Sequence, residues 1–248
     1  MRAVILAAGR GTRMGSIGEA RPKCLVELAG KTLLDRQLAA LSAGGASELG
    51  IVRGYRAEML ARPGVVCFEN PRWTETNMVL SLAAAETWLS TGPLIVSYAD
   101  IFYRREVVRE LAAAAGELVI AYDPGWRRLW TRRFNNPLSD AETFRVSPSG
   151  RLLEIGGKTD RIEAIQGQYM GLLKFTPPAW RAVSELLNGL DPAARDALDI
   201  TGLLRRLLQC DYPVETLATA GNWGEIDSPA DLALYEQMAR DGDLALNG

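Results

Sequence analysis

The chain begins with an apolar run, Val4-Ile5-Leu6-Ala7-Ala8, that passes directly into Gly9-Arg10-Gly11-Thr12-Arg13-Met14, with Arg21-Pro22-Lys23 close behind. A short buried strand that empties into a Gly-rich turn is a phosphate-loop arrangement. The glycines let backbone N–H groups come close to a polyphosphate, and Arg10, Arg13 and Lys23 supply the opposing charge. The spacing excludes two common forms of such a loop. No Gly-Lys-Ser/Thr follows Gly9 or Gly11, and Met14 stands where a dinucleotide fingerprint needs its third glycine.

The sequence has no histidine. Ser-His and Cys-His nucleophiles, His-ligated zinc and imidazole acid–base steps are therefore excluded, so any chemistry here runs on carboxylates, Arg, Lys and bound metal. A net charge of −2 argues against a nucleic-acid partner held by a broad basic surface. The densest basic group, Arg127-Arg128 with Arg132-Arg133, reads as an anion site or as a solvated face. Cys24, Cys67 and Cys210 are far apart and lack metal spacing, which makes them small buried hydrophobes. No apolar run approaches the roughly 20 residues that span a bilayer, and Met1-Arg2 lead directly into core sequence. The expectation is a cytoplasmic protein with no membrane partner.

Along the 248 residues, apolar strand patterns at Val4–Ala7, Leu49–Val52, Val65–Phe68, Leu94–Tyr98 and Leu118–Tyr122 alternate with helical patterns at Thr32–Ala43, Asn77–Leu89 and Val107–Ala115. This alternation predicts an α/β fold, a mostly parallel sheet covered on both faces. After Asp123 the rhythm changes. A Trp- and Arg-rich stretch (Pro124–Asn136), a hairpin around Ser149-Gly150 and a strand over Gln166–Phe175 predict a substrate lobe over about 123–175, inserted in a single domain of 1–248. Helices over Pro177–Leu187, Ile200–Cys210 and Pro229–Ala239 and a strand at Val214–Leu217 complete the pattern.

In open parallel sheets ligands bind beyond the carboxyl ends of the strands. Asp100 falls at such an end, and Asp227 precedes the final helix, where it reads as a cap, a metal ligand or both. Glu225 stands one strand step away, beside the site or facing solvent. A pair of hard carboxylates suits Mg²⁺ bound together with phosphates.

The chain resembles the nucleotidyltransferase family that includes sugar-nucleotide pyrophosphorylases. It is most similar to the CTP-dependent branch acting on phosphocholine, phosphonates and phosphoglutamine. The resemblance rests on ordered anchors: Leu6–Arg13 with Pro22-Lys23, Thr76–Leu82, Ser97–Ile101, Arg133 with Pro137–Glu142, Glu154–Gly156, Gln168–Leu172 and Asn222–Asp227. Ala99 replaces the Gly that usually precedes the metal-binding Asp in sugar-specific members, which leans toward the cytidylyl branch.

The resemblance implies a doubly wound, Rossmann-like mixed sheet. It also implies that Leu6, Ala7, Ala8 and Gly9, with Gly54 and Tyr55, frame base and ribose, and that Gly11, Thr12 and Arg13 hold the triphosphate. Asn77, Met78, Ser81, Tyr98 and Ala99 would complete the nucleotide site, although Asn77 equally fits a helix cap. Lys23 and Lys158 would meet phosphates of the nucleotide and of the second substrate, and Asp100 and Asp227 would hold Mg²⁺. Arg13, Lys23 and Lys158 are the implied catalytic cations, with CTP and a small phosphorylated metabolite as partners and a homodimer as one available assembly.

A phosphomonoester, with a second pKa of about 6, is already an anionic nucleophile at neutral pH. The protein must then supply alignment and charge neutralisation rather than a base. Trp126, Trp130, Arg133, Asp140, Glu142, Gln168 and Tyr169 offer the acceptor aromatic faces and both charge signs. Aromatics with acids suit a quaternary or primary ammonium. Trp126 and Trp130 also read as one packing face of a short helix, and Arg133 with Asp140 or Glu142 as a structural ion pair. The competing readings are a sugar-1-phosphate nucleotidyltransferase using UTP, GTP or dTTP, and a nucleotide-binding regulatory module without catalysis. A dinucleotide-dependent oxidoreductase fits Met14 and the loop cations poorly.

Overall fold

Along β1 (Arg2–Ala7), successive side chains enter opposite layers, Ala3, Ile5 and Ala7 on one side and Val4 and Leu6 on the other. A strand buried on both faces reads as a continuous apolar run, which is what the sequence shows. The computed structural model describes residues 1–11, 21–219 and 221–246, so Thr12 and Arg13 lie outside the described residues.

From β1 the chain reaches a 3₁₀ turn (Lys23–Leu25) and a small hairpin of β2 (Glu27–Leu28) and β3 (Lys31–Thr32). Helix α1 (Leu33–Ala43) follows, its first turn closed by the Thr32 hydroxyl accepting from the Asp35 amide. Then come β4 (Glu48–Arg53), β5 (Val65–Glu69), α2 (Met78–Ala83), α3 (Glu86–Leu89), β6 (Leu94–Tyr98), β7 (Ile101–Phe102), α4 (Arg105–Ala113) and β8 (Leu118–Asp123). The middle of the chain supplies α5 (Trp126–Arg133) and the antiparallel pair β9 (Phe144–Val146) and β10 (Leu152–Ile155). The remainder is β11 (Gln168–Phe175), α6 (Pro177–Asn188), α7 (Pro192–Asp196), α8 (Ile200–Gln209), β12 (Glu215–Ala218), β13 (Gly224–Glu225) and α9 (Pro229–Arg240).

Among the described residues the main sheet runs β12-β8-β11-β6-β1-β4-β5. Neighbours are parallel except for β11, which is antiparallel to both β6 and β8. The expected mixed, mostly parallel α/β sheet is therefore the architecture found. One face carries α2, α3, α6 and α8 through Val79, Leu89, Trp180 and Leu203, and the other carries α1, α4 and α5 through Leu34, Val108 and Trp130. No described helix is long and apolar enough to cross a membrane.

Four expectations change. β11, expected at the end of the lobe, is an inner strand of the main sheet, between β8 and β6. The single helix expected over Asn77–Leu89 is two short helices. At Ala84 and Ala85 the amides turn back to Ser81 and Leu82, a tightened i→i+3 step that apolar periodicity does not register. Trp126 and Trp130 are 3% and 0% exposed and pack into the core against Trp223, so they offer no face to a ligand. Of the cysteines only Cys24 is buried, Cys67 being half-buried and Cys210 exposed.

Candidate active site

Two connections bring Asp100 and Asp227 together across the fold. β7 pairs antiparallel with β13, matching Ile101 to Glu225, and the Ile226 amide donates to the Asp100 carbonyl at 2.9 Å. α9 begins with a capping box in which the Ser228 hydroxyl and the Asp231 carboxylate close the first turn reciprocally. Asp231 Oδ2 also accepts from the Asp227 amide at 3.0 Å, fixing the backbone from which the Asp227 carboxylate projects. Helix cap and site residue are thus adjacent positions of one turn.

Carboxylate oxygens of Asp100, Glu225 and Asp227 lie within 4.8 Å of one another. The Lys23 ammonium donates to Asp100 at 2.8 Å and to Asp227. Burial alone would lower the Lys23 pKa, but the charges of Asp100 and Asp227 outweigh it and the pKa is raised. Burial, and then the negative charges of Asp100 and Asp227, push the Glu225 carboxyl above the usual carboxylate range. Asp100 Oδ1 is buried with no hydrogen-bond partner among the described residues. Hard oxygens from three carboxylates and an unpartnered buried oxygen together fit a divalent cation.

Behind the cluster, the Arg133 side chain is fully buried, 2.8 Å from Asp231, 3.6 Å from Glu225 and 3.8 Å from Asp227. Its guanidinium lies 4.8 Å from the Trp130 ring and 5.0 Å from that of Phe134. The expectation of Arg133 as an acceptor contact is corrected: it neutralises the back of the acid cluster. Arg132 pairs with Asp243, and Arg127 and Arg128 are exposed.

A cleft of about 350 Å³ joins the strand ends. Its wall includes Leu6, Ala7, Gly9, Gly11, Lys23, Met78, Tyr98, Ala99 and Asp100 from the predicted set, with Glu225 in addition. Cys24 also lines it, but burial pushes its thiol up to about 12, which rules out a thiolate at neutral pH. Gly11 has φ +69°, and a Cβ there would lie 2.7 Å from Lys23 Cβ. Gly11→Ala is expected to strain the turn by about 1–2 kcal/mol and to displace Lys23, lowering turnover on the order of 10²-fold; steady-state kinetics beside a melting curve check this.

Other predicted nucleotide contacts stand outside that wall. Asn77 caps α2, its side chain accepting from the Met78 amide, and Ser81 is buried and receives the Asn70 amide at 3.0 Å. Gly54 packs on Trp73, and the Tyr55 amide donates to the Ala8 carbonyl at 2.9 Å. A second cavity of about 130 Å³ shares Tyr98 and Glu225 with the first. Glu142, Gln168 and Tyr169 line it as predicted, together with Thr143 and Thr201. Asp140 instead accepts from the Trp130 indole at 3.0 Å, and Lys158 is exposed close to Glu142. The signal for Glu225 was available, since residues two apart on an extended segment share a face with Asp227. Thr143 and Thr201 carry no such pattern.

A mostly parallel sheet with an oxygen-donor cluster and a glycine turn in one cleft defines an α/β protein of phosphate chemistry. The sequence matches the MobA-like NTP transferase domain over residues 3–196. The chain belongs to that nucleotidyltransferase family. It is 34% identical to the CTP:phosphoglutamine cytidylyltransferase of Campylobacter jejuni, over 94% of this chain and 98% of that protein. It is 26% identical to the 2-aminoethylphosphonate cytidylyltransferase of Lancefieldella rimae, over 94% and 91%. Among solved structures, the inositol-1-phosphate CTP transferase of T. maritima superposes with a TM-score of 0.75 at 21% identity, covering 98% of this chain and 97% of that one.

Proposed function

We propose that this protein transfers the cytidylyl group of CTP to the phosphate of a small phosphorylated or phosphonate metabolite and releases pyrophosphate. The observation that carries the reading is the convergence of Asp100, Glu225, Asp227 and Lys23 on the cleft lined by the glycine turn. The cytidylyltransferase relatives support it with CTP as donor.

In this reading Gly9 and Gly11 seat the triphosphate together with Thr12 and Arg13, and Asp100 and Asp227, with Glu225 beside them, hold Mg²⁺. Bound there, the ion would neutralise charge on the α-phosphate and the departing pyrophosphate. Lys23 reaches the same point and keeps positive charge there, and Lys158 and Arg13 add cations at the acceptor phosphate and the triphosphate. An acceptor phosphate oxygen attacks the α-phosphorus in line as the bond to the β-phosphate oxygen breaks. No base is required, because the acceptor is already ionised. Arg133 sets the acids from behind without touching substrate.

The test is pyrophosphate release by the full chain across CTP, UTP, GTP and dTTP with phosphorylated, phosphonate and sugar 1-phosphate acceptors. The expected result is CTP with a non-sugar acceptor, falling to background when EDTA removes divalent metal. Turnover confined to sugar 1-phosphates contradicts the cytidylyl reading, and nucleotide binding without turnover leaves a regulatory module.

A further inference from the structure

Between β6 and β7 the chain leaves the main sheet. β6 runs beside β1 as far as Tyr98, whereas β7 pairs with β13, so the ladder of the main sheet does not fix the Ala99-Asp100 turn between them. Among the described residues, hydrogen bonds to three carbonyls hold it instead. The Asp100 carbonyl accepts from the Ile226 amide at 2.9 Å, the Tyr98 carbonyl from the Ser97 hydroxyl at 3.0 Å, and the Ile101 carbonyl from the Gln37 side-chain amide. A carbonyl only accepts, so Gln37 turns its Nε2 to Ile101 and leaves Oε1 toward the Ser97 hydroxyl, 3.4 Å away. The Tyr103 hydroxyl closes the network by donating to Ser97 Oγ at 2.9 Å. Gln37, Ser97 and Tyr103 are all buried, and none of the three is among the described residues of the cleft wall.

Gln37 breaks the apolar stripe by which α1 faces the sheet. Leu34, Ala40 and Leu41 of the same helix lie in the core with Ile5 of β1 and Ile95 of β6, and Gln37 is as buried as they are, at 1% exposure. An aliphatic side chain at 37 would fill that space without the cost of drying an amide. What the amide adds is direction, since it ties the main chain at Ile101 to a packed helix. We propose that Gln37 is a positioning residue for the acid cluster, setting through the Ile101 carbonyl, with Ser97 and Tyr103 behind it, where Asp100 presents its oxygens to the cation. The inference rests on the reading above of Asp100 and Asp227 as cation ligands. Asp100 Oδ2 is held by Lys23, but Oδ1 is buried without a partner among the described residues, so the turn is what sets its place. Ligand oxygens of a metal site must be held to within about 0.5 Å.

Gln37→Met keeps most of the side-chain volume and removes both amide groups. The readout is Mn²⁺ binding to the full chain without nucleotide, followed by electron paramagnetic resonance, at the site that Asp227→Asn removes. Gln37→Met is expected to weaken that site by about tenfold, as the loss of a group supporting a metal ligand does, and to lower kcat with it. Tyr103→Phe, which takes one hydroxyl from the far end of the network, is expected to give a smaller loss in the same direction. Leu41→Ala is the control: it opens a cavity in the packing of the same helix and lowers the melting temperature, yet should leave the Mn²⁺ affinity unchanged. Gln37→Met and Tyr103→Phe proteins that bind Mn²⁺ as tightly as the wild type overturn the inference while the cation site stands, and so does an equal weakening by Leu41→Ala. Absence from the wild type of any Mn²⁺ site that Asp227→Asn removes overturns both.

Discussion

Asp227→Asn is expected to lower turnover by about 10³-fold while the protein unfolds as cooperatively as before, and Asp100→Asn is expected to do the same. The substitution is isosteric, and the Asp227 amide that anchors this turn to Asp231 belongs to the backbone, so the α9 cap survives. What is lost is one of the carboxylates that face Lys23 and to which we assign the cation. In the proposed reading the two residues act on one bound charge, so the double variant should fall little further than either single one, as groups that work as a unit do. Pyrophosphate release at saturating CTP, beside thermal melting of each variant, measures this. Retention of turnover within fivefold would remove the cluster from the chemistry.

The second large effect concerns stability. Arg133→Met should destabilise the fold by about 3–5 kcal/mol, a fall of roughly 10 °C in melting temperature for a chain of this size. The guanidinium is fully buried, and without it Asp231, Glu225 and Asp227 share a low-dielectric pocket with only Lys23 opposing them. Methionine keeps much of the packing against Trp130 and Phe134, so the loss isolates charge from volume. Arg133→Lys should rescue only part, since one ammonium cannot span acids 2.8, 3.6 and 3.8 Å from different guanidinium nitrogens. Chemical denaturation of the three proteins tests this; equal stability of the Arg and Met forms would mean the acids are neutral in the folded state.

How much of this was legible in the residues follows the range of the interactions. The inner strands could be read because they are buried on both faces and so are apolar throughout, as in Val4–Ala7 and Leu94–Val96. That Gly9, Gly11 and Asp100 line one cleft could be read because position at the ends of neighbouring strands suffices. Asp227 showed itself as a cap or a ligand, and the capping box falls one residue further on. The aromatic residues misled, since a Trp four residues from another Trp marks a buried helix face as readily as a binding surface, and only the sheet behind α5 decides. Arg133 could not be assigned, because its true partner Asp231 lies 98 residues away. Nor could β11 be placed inside the main sheet, since an antiparallel strand threaded between parallel neighbours has the same pattern as a hairpin strand.

The most direct measurement is a crystal structure of the protein with Mn²⁺ and a non-hydrolysable CTP analogue, located by the anomalous signal of the metal. The account predicts one manganese peak bonded to oxygens of both Asp100 and Asp227, with the analogue's phosphates over the turn that contains Gly9 and Gly11. A manganese bound away from those two carboxylates, or phosphates seated elsewhere than on that turn, would contradict it.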